Sequence, residues 1–266
     1  MKENKFKNAM VKLFDDFANE MFPEKFSCCG CGCEMDTTGE NYLCDECKKT
    51  LFNIDYACKK CGEKISKPNL LCDNCKNEKR NFDKNISCFE YSGIAQHMIY
   101  KMKYGGEKFV AKVFANYLFL KYSQSDLPKI DVLTCVPLSA KRYKERGFNQ
   151  AEEIAKNFAE LLRKDNIEVF ENYKLLKRVK TTESQANLTT IERRLNIENA
   201  FEVDKDQAKG LKKVKNIFVV DDIMTTGATL NEISKVLKSA IRNCKVFGLT
   251  VCRTTNKKST AVEFDN

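Results

Sequence analysis

At 266 residues the chain has room for one large domain, with a buried core of its own, and one small one. Its formal charge of +9 is unevenly placed: residues after 91 hold 31 basic against 21 acidic side chains, while the first 91 are close to neutral. That excess favours an anionic partner for the C-terminal part, phosphate ligand or nucleic acid, or else is lysine-rich surface. Fourteen cysteines would suggest disulfides in a small secreted protein. Here residues 1–26 are broken by charges and no run is long enough for a membrane span, so the expectation is a cytoplasmic chain that keeps its thiols for metal.

Residues 4–22 place Phe6, Met10, Leu13, Phe17 and Met21 on one face of an expected helix. Asp15, Asp16 and Glu20 would repel anionic lipid, which leaves a partner-facing or domain-packing role for residues 1–26. Next come four Cys-x-x-Cys pairs, Cys28/Cys31, Cys44/Cys47, Cys58/Cys61 and Cys72/Cys75. Each pair can bring two sulfurs to one metal, and a second pair closes a tetrahedral four-thiolate site. Both halves read Cys-x-x-Cys-Gly, a short variable stretch, then Leu-Cys-Asp-x-Cys, an internal duplication with a period of about thirty residues. Two consecutive zinc ribbons over residues 27–80 are expected, each with a structural Zn²⁺ and too little apolar content to fold without it. A cross-braced pairing of the same eight sulfurs stays open. Cys29 and Cys33 are spare, and either could substitute for a neighbour in the first site. The ribbons could grip nucleic acid, a protein partner or the rest of the chain.

From residue 81 to 266 the pattern becomes that of an α/β domain. Ser87 to Gly106 reads as a strand, a Ser-Gly turn and a helix from about Ile94, with a second helix over Glu107 to Tyr122. Cys88, Cys135, Cys244 and Cys252 sit in apolar contexts and are expected in the core. His97, the single histidine, reads as structural or exposed. Lys101 and Lys103 could lean toward a phosphate. Asp131 to Pro137 is a second buried-strand candidate. It leads into a cationic loop with Lys141, Arg142, Lys144 and Arg146, and Asn149 then caps a helix, with Glu152 in capping-box position. A loop this cationic at a strand's carboxyl end could hold pyrophosphate or be a solvated basic loop. Residues 174–201 are long, polar and basic, either a hood over the site or plain loop and helix.

The most informative stretch is Lys215 to Ala240. Ile217 to Val220 is an apolar run without alternation, as suits a parallel strand covered on both faces. Asp221 and Asp222 follow, then the turn Thr225-Thr226-Gly227-Ala228-Thr229, then Leu230, Ile233, Val236, Leu237 and Ala240 at helical spacing. A turn feeding a helix N-terminus aims backbone N–H groups at phosphate, with threonine hydroxyls as further donors. Two carboxylates beside it suit sugar hydroxyls, directly or through Mg²⁺. A phosphorylated ribose satisfies both halves.

Residues 217–229 resemble the 5-phosphoribosyl 1-pyrophosphate motif of type I phosphoribosyltransferases. Cys28 to about Arg253 as a whole resembles the ComF family of competence-associated proteins. The resemblance rests on the double cysteine ribbon, Met102-Lys103-Tyr104-x-Gly106, Val136-Pro137-Leu138, Arg142, Arg146-Gly147-Phe148-Asn149-Gln150, Arg178, Thr182-x-x-Gln185-x-x-Leu188, Arg193-x-x-Asn196, Ala200-Phe201 and the VVDDIMTTGATL string. It departs at Thr134-Cys135-Val136-Pro137, where relatives often read Pro-Val-Pro. It implies a type I phosphoribosyltransferase fold behind an N-terminal zinc module and a role in natural transformation, with competence-machinery proteins as partners. On this reading Thr225, Thr226, Gly227, Ala228 and Thr229 cradle the 5-phosphate, and Asp221 and Asp222 are the catalytic carboxylates at the ribose or its Mg²⁺. Pro137, Leu138, Ser139, Arg142 and Arg146 take the pyrophosphate. The alternative is a module without turnover that senses the ligand or binds single-stranded DNA on its basic face, with few aromatics other than Tyr143 and Phe148 among those charges. A third reading gives the ribbons and the N-terminal helix a protein-docking role.

Overall fold

The computed structural model describes residues 26–35, 42–51, 54–68, 70–180 and 197–255. The expected helix over residues 4–22 and residues 181–196 of the expected hood lie outside them. The chain divides into two compact units, residues 1–49 and 50–266.

In the first unit a short antiparallel pair, β1 (Phe26–Ser27) and β2 (Glu34–Met35), flanks the first cysteine knuckle. The knuckle closes on itself through Gly32 N donating to Cys28 O at 2.8 Å and Cys28 N to Cys33 O at 2.8 Å. Helix α1 (Asp45–Thr50) begins one residue after Cys44 and carries Cys47.

The second unit contains the second cysteine repeat, with the short helix α2 (Asp73–Asn77), and a five-stranded parallel sheet in the order β3-β9-β8-β4-β5. Its strands are β3 (Lys84–Glu90), β4 (Val132–Cys135), β5 (Phe170–Glu171), β8 (Asn216–Met224) and β9 (Lys245–Arg253). Alternate residues of β8 face opposite helical layers. Ile217 and Val219 join Leu230, Ile233 and Leu237 of α7 (Ala228–Ala240) in one buried cluster. Phe218 instead meets Tyr122 of α4 (Val110–Ser123) edge-on, with ring centroids 5.9 Å apart, and stacks on Phe247 at 4.8 Å. Tyr122 in turn meets Phe158 of α6 (Gln150–Lys164). Helices on both faces explain why Ile217 to Val220 is apolar without alternation. Cys88, Cys135, Cys244 and Cys252 are all buried, as expected, and His97 is exposed on α3 (Gly93–Tyr104).

Two details of the sheet were not evident from sequence. The first is a polar patch across β3 and β9: the Ser87 and Thr250 hydroxyls lie 2.6 Å apart, and Asn85 Nδ2 donates to Thr250 Oγ1. The same amide nitrogen donates to the Cys61 carbonyl at 3.2 Å, so the second cysteine repeat is seated on the sheet itself. Cys58, Cys61 and Cys72 belong to the cluster that holds Phe82, Met224 and Leu230. The second is Asp131, whose Oδ2 accepts from the amides of Lys215 and Asn216, each at 2.9 Å, and fixes the start of β8 beside β4.

One expectation is corrected. The cationic stretch after β4 is not a loop but the helix α5 (Ala140–Arg146). Ser139 caps it, its Oγ accepting from Arg142 N at 3.4 Å, and Gly147 ends it in the left-handed region at φ 76°. The residues on either side of 181–196 form a two-stranded antiparallel ribbon, β6 (Leu176–Arg178) and β7 (Phe201–Val203), in place of loop and helix.

Candidate functional site

Sheet order decides where a ligand can sit. From β4 the chain moves outward to β5, whereas from β8 it moves the other way to β9. The carboxyl ends of β4 and β8 are therefore side by side with their connections leading apart, the arrangement that opens a crevice in a parallel sheet. A cavity of about 430 Å³ lies there. Pro137, Leu138, Arg142 and Arg146 line it from the β4 side, and Asp221, Asp222, Thr225, Thr226, Gly227, Ala228 and Thr229 from the β8 side. Of the residues expected at the ligand, Ser139 alone is not among its walls; its buried hydroxyl is the cap of α5.

The β8 side is built by a strand that runs on through both aspartates before the turn. Gly227 sits at φ +81°, a backbone that residues with a Cβ rarely adopt, and any Cβ there would fall 2.6 Å from Met224 Cε. Ala228 N donates to Thr226 Oγ1, and α7 follows at once. The first turn of this 13-residue helix brings N–H groups without intrahelical partners to the cavity wall. On the β4 side Asn149 does two jobs: its Oδ1 accepts from Ala151 N as the expected cap of α6, and its Nδ2 donates to Val136 O at 3.0 Å. Glu152 does not complete a capping box; its carboxylate pairs with Lys156 at 2.7 Å. Arg146 is held by Gln150 Oε1 at 3.0 Å and lies over the Tyr104 ring at 5.3 Å.

Lys103 decides the electrostatics of the acidic pair. Its Nζ lies 2.5 Å from Asp222 Oδ2. Burial pushes Asp222 up, but the charge and hydrogen bond of Lys103, with Arg146 behind it, outweigh burial and hold this carboxyl below its ordinary range. Asp221 is raised well above its ordinary value of 3.8, first by burial and then by the charge of Asp222. Lys103 thus favours the ionised form of Asp222, while burial and that neighbouring charge disfavour ionisation of Asp221. Arg178, on β6, also faces the cavity; burial pulls its guanidinium down, and Arg142 adds to the effect. Lys103 and Arg178 were visible in the sequence only as two of many basic residues, because helical spacing and a hairpin across a long connection do not show which of them turn inward.

Each cysteine cluster could hold a zinc ion. The sulfurs of Cys58, Cys61, Cys72 and Cys75 all lie within 4.8 Å of one another, as do those of Cys28, Cys31, Cys33 and Cys44. Cys61 and Cys72 sulfurs are 3.6 Å apart and those of Cys31 and Cys44 3.8 Å. A tetrahedron with Zn–S bonds of about 2.3 Å has edges of about 3.8 Å, so the spacing fits. In both repeats the first thiolate accepts a backbone N–H from the third cysteine, Cys44 N to Cys28 and Cys72 N to Cys58, each at 3.2 Å. Burial pushes Cys28 up, but backbone N–H groups of Cys44, Cys31 and Gly30 outweigh it and bring the thiol to about 6. Side-chain hydrogen bonds from Cys61 and Cys75 hold Cys58 far below the ordinary thiol range. The first cluster includes Cys33, one of the two spare cysteines, while Cys47, expected as the fourth ligand, bonds to the sulfurs of Cys44, Cys31 and Cys28. Five thiols thus crowd the first position.

With this geometry the relatives can be weighed. The model of the phosphoribosyl transferase domain matches residues 143–263. Competence protein F of Haemophilus influenzae is 30% identical over 217 residues, covering 79% of this chain and 90% of that protein. The chain belongs to the ComF family. Competence protein ComFC of Streptococcus pneumoniae is 31% identical over 168 residues, 61% of this chain and 66% of the relative. DNA utilization protein YhgH of Salmonella typhi is 26% identical over 199 residues, 73% and 83% of the two chains. A solved hypoxanthine phosphoribosyltransferase of Staphylococcus aureus covers 56% of this ComF-family chain and 64% of its own, at 13% identity and a TM-score of 0.32. Among the described residues no helix is long and apolar enough to cross a membrane.

Two outcomes follow from the site. Cys33→Ser and Cys47→Ser each leave four thiols around the first position and keep two zinc equivalents by metal analysis, whereas the double change lowers the content to one. Folded Asp221 holds its proton to higher pH than the unfolded chain, so stability falls as pH rises from 3.8 through the raised value. Asp221→Asn removes that slope and raises Tm at neutral pH in melts recorded across the range.

Proposed function

We propose that the cavity binds 5-phosphoribosyl 1-pyrophosphate with Mg²⁺ and that the protein transfers the pentosyl group. The observation that carries this reading is the convergence of two unlike half-sites on one cavity at the β4/β8 crevice. The 5-phosphate goes to Thr225–Thr229 and the first turn of α7, where N–H donors and the helix dipole favour an anion. The ribose hydroxyls go to Asp221 and Asp222. The donor set there, two carboxylates, fits a hard cation that seeks oxygen, and Mg²⁺ when bound supplies charge compensation for the pyrophosphate. Arg142 and Arg146 face those aspartates from the other wall and receive the pyrophosphate as negative charge develops on it. Lys103 keeps Asp222 ionised and aligned through this change. Departure of pyrophosphate leaves positive charge on the ribose ring, which the carboxylate pair offsets; positioning and charge supply the catalysis, without a protein nucleophile.

The names of its relatives support a place in competence and DNA use; natural transformation, a cytoplasmic location and competence proteins as partners are part of the same proposal. The two-ribbon organisation of residues 27–80 and the domain over 81–266 belong to the same reading.

Calorimetric titration of 5-phosphoribosyl 1-pyrophosphate with Mg²⁺ tests it. Wild type binds, the Asp221→Asn, Asp222→Asn double variant loses at least about tenfold in affinity, and Arg142→Glu with Arg146→Glu does the same. A folded, zinc-loaded wild type that does not bind would sink the proposal.

One observation favours single-stranded DNA as a second ligand. Tyr100 and Tyr104 are 61% and 65% exposed with rings 4.9 Å apart, and Arg146 of the basic helix α5 lies over the Tyr104 ring. Exposed aromatics beside cations suit stacking of unpaired bases. Affinity for an oligonucleotide should fall steeply with salt, and Tyr104→Ala should weaken binding by about 1–3 kcal/mol without changing the salt slope.

A further inference from the structure

Arg253 is the last residue of β9 and, at 2% exposure, is fully enclosed. A strand-end arginine ordinarily extends its charge to water, and burying it calls for partners; Nη1 and Nη2 have them, while the buried Nε–H has none among the described residues. Here the partners come from two separate places in the sequence, one of them 190 residues before the arginine. Nη2 lies 3.2 Å from Glu63 Oε2 and 3.7 Å from Cys61 Sγ, both in the second cysteine repeat. Nη1 donates to the carbonyls of Met224, at 3.1 Å, and Thr225, at the start of the phosphate-type turn. Thr254 closes the other side, its N donating to Met224 O at 3.1 Å and its carbonyl accepting from Nη1 at 3.0 Å. Glu63 is itself buried. One guanidinium therefore joins a metal-type thiol cluster to the backbone that aims the Thr225–Thr229 turn.

We propose that Arg253 is a positioning residue through which the second cysteine cluster sets the conformation of the Thr225–Thr229 turn, so that anion affinity at the turn depends on metal held by Cys58, Cys61, Cys72 and Cys75. Four thiolates around a divalent zinc carry a net negative charge, and a hydrogen bond from a cation to one of them is the kind of outer contact that orients both groups. Without metal the knuckle Cys61-Gly62-Glu63 loses its anchor. Glu63 and Cys61 then no longer fix one edge of the guanidinium, and the other edge cannot fix Met224 and Thr225. A lysine at this position could not span the same acceptors, since it lacks the planar fork. The dependence of ligand affinity rests on the phosphoribosyl reading of the cavity; the mechanical link does not.

Hydrogen–deuterium exchange and donor titration on the full chain separate the two. Arg253→Lys keeps two zinc equivalents and unchanged exchange in β4, but exchange at residues 224–229 rises about fivefold and affinity for 5-phosphoribosyl 1-pyrophosphate falls about tenfold. Glu63→Gln, a gentler change, moves the same peptides by less. Cys28→Ser with Cys31→Ser removes the first metal and alters neither readout, while chelation of the remaining metal in that background reproduces the loop exchange of Arg253→Lys. Unchanged exchange at 224–229 in a zinc-loaded Arg253→Lys protein, or a rise shared equally by β4, overturns the proposal. If wild type does not bind the donor, the reading of the cavity fails, and the exchange pattern alone decides the role of Arg253.

Discussion

Parallel pairing of β8 with β4 on one edge and β9 on the other is the constraint on which the other features depend. Cys135 lies opposite Val220 and Asp221 opposite Thr250, so the register leaves no freedom in where the aspartates stand relative to the end of β4. A slip of one residue would turn Phe218 into the layer of α7 and Val219 into the aromatic layer of Tyr122 and Phe158. Packing on both faces therefore fixes the chemistry at the strand's end. Asp131, bonded to the first amides of β8, adds a polar stop to the same register.

Charge around the cavity is balanced in an order that follows from depth. Asp222 is neutralised by Lys103 from α3, Asp221 stands beside it without so close a cation, and Arg142, Arg146 and Arg178 face both across the cavity. The site thus combines a carboxylate pair that excludes phosphate with a cationic wall and a helix N-terminus that attract it.

Strands β3, β4 and β8 could be read from sequence, β8 because a doubly covered strand has a composition that little else imitates, as Ile217 to Val220 shows; β5 and β9 were not read. The glycine-threonine turn was legible for a similar reason: Gly227 is required by a positive φ and a close Met224. The helix α5 was hidden because its side chains are charged on nearly every face and its stability comes from two end residues, Ser139 and Gly147. Lys103 and Arg178 were named from sequence, but their inward direction was not legible because it depends on tertiary packing. The cysteine spacing disclosed two metal positions. It could not disclose that Cys33 joins the first, nor that the second repeat lies on the Asn85, Ser87 and Thr250 patch.

The two cysteine repeats share a sequence pattern and differ in access to water. In the first, Cys31 and Cys33 are exposed; in the second, Cys58, Cys61 and Cys72 are buried in the cluster around Phe82 and Met224. Attack by a competing chelator or an oxidant begins at an accessible sulfur, so the copies of one ancestral motif have unequal lifetimes under the same conditions. The first would exchange its ion with the surrounding pool, and the second would keep the ion with which the chain folded. With zinc bound, one repeated thirty-residue pattern would thus provide one labile and one durable metal position.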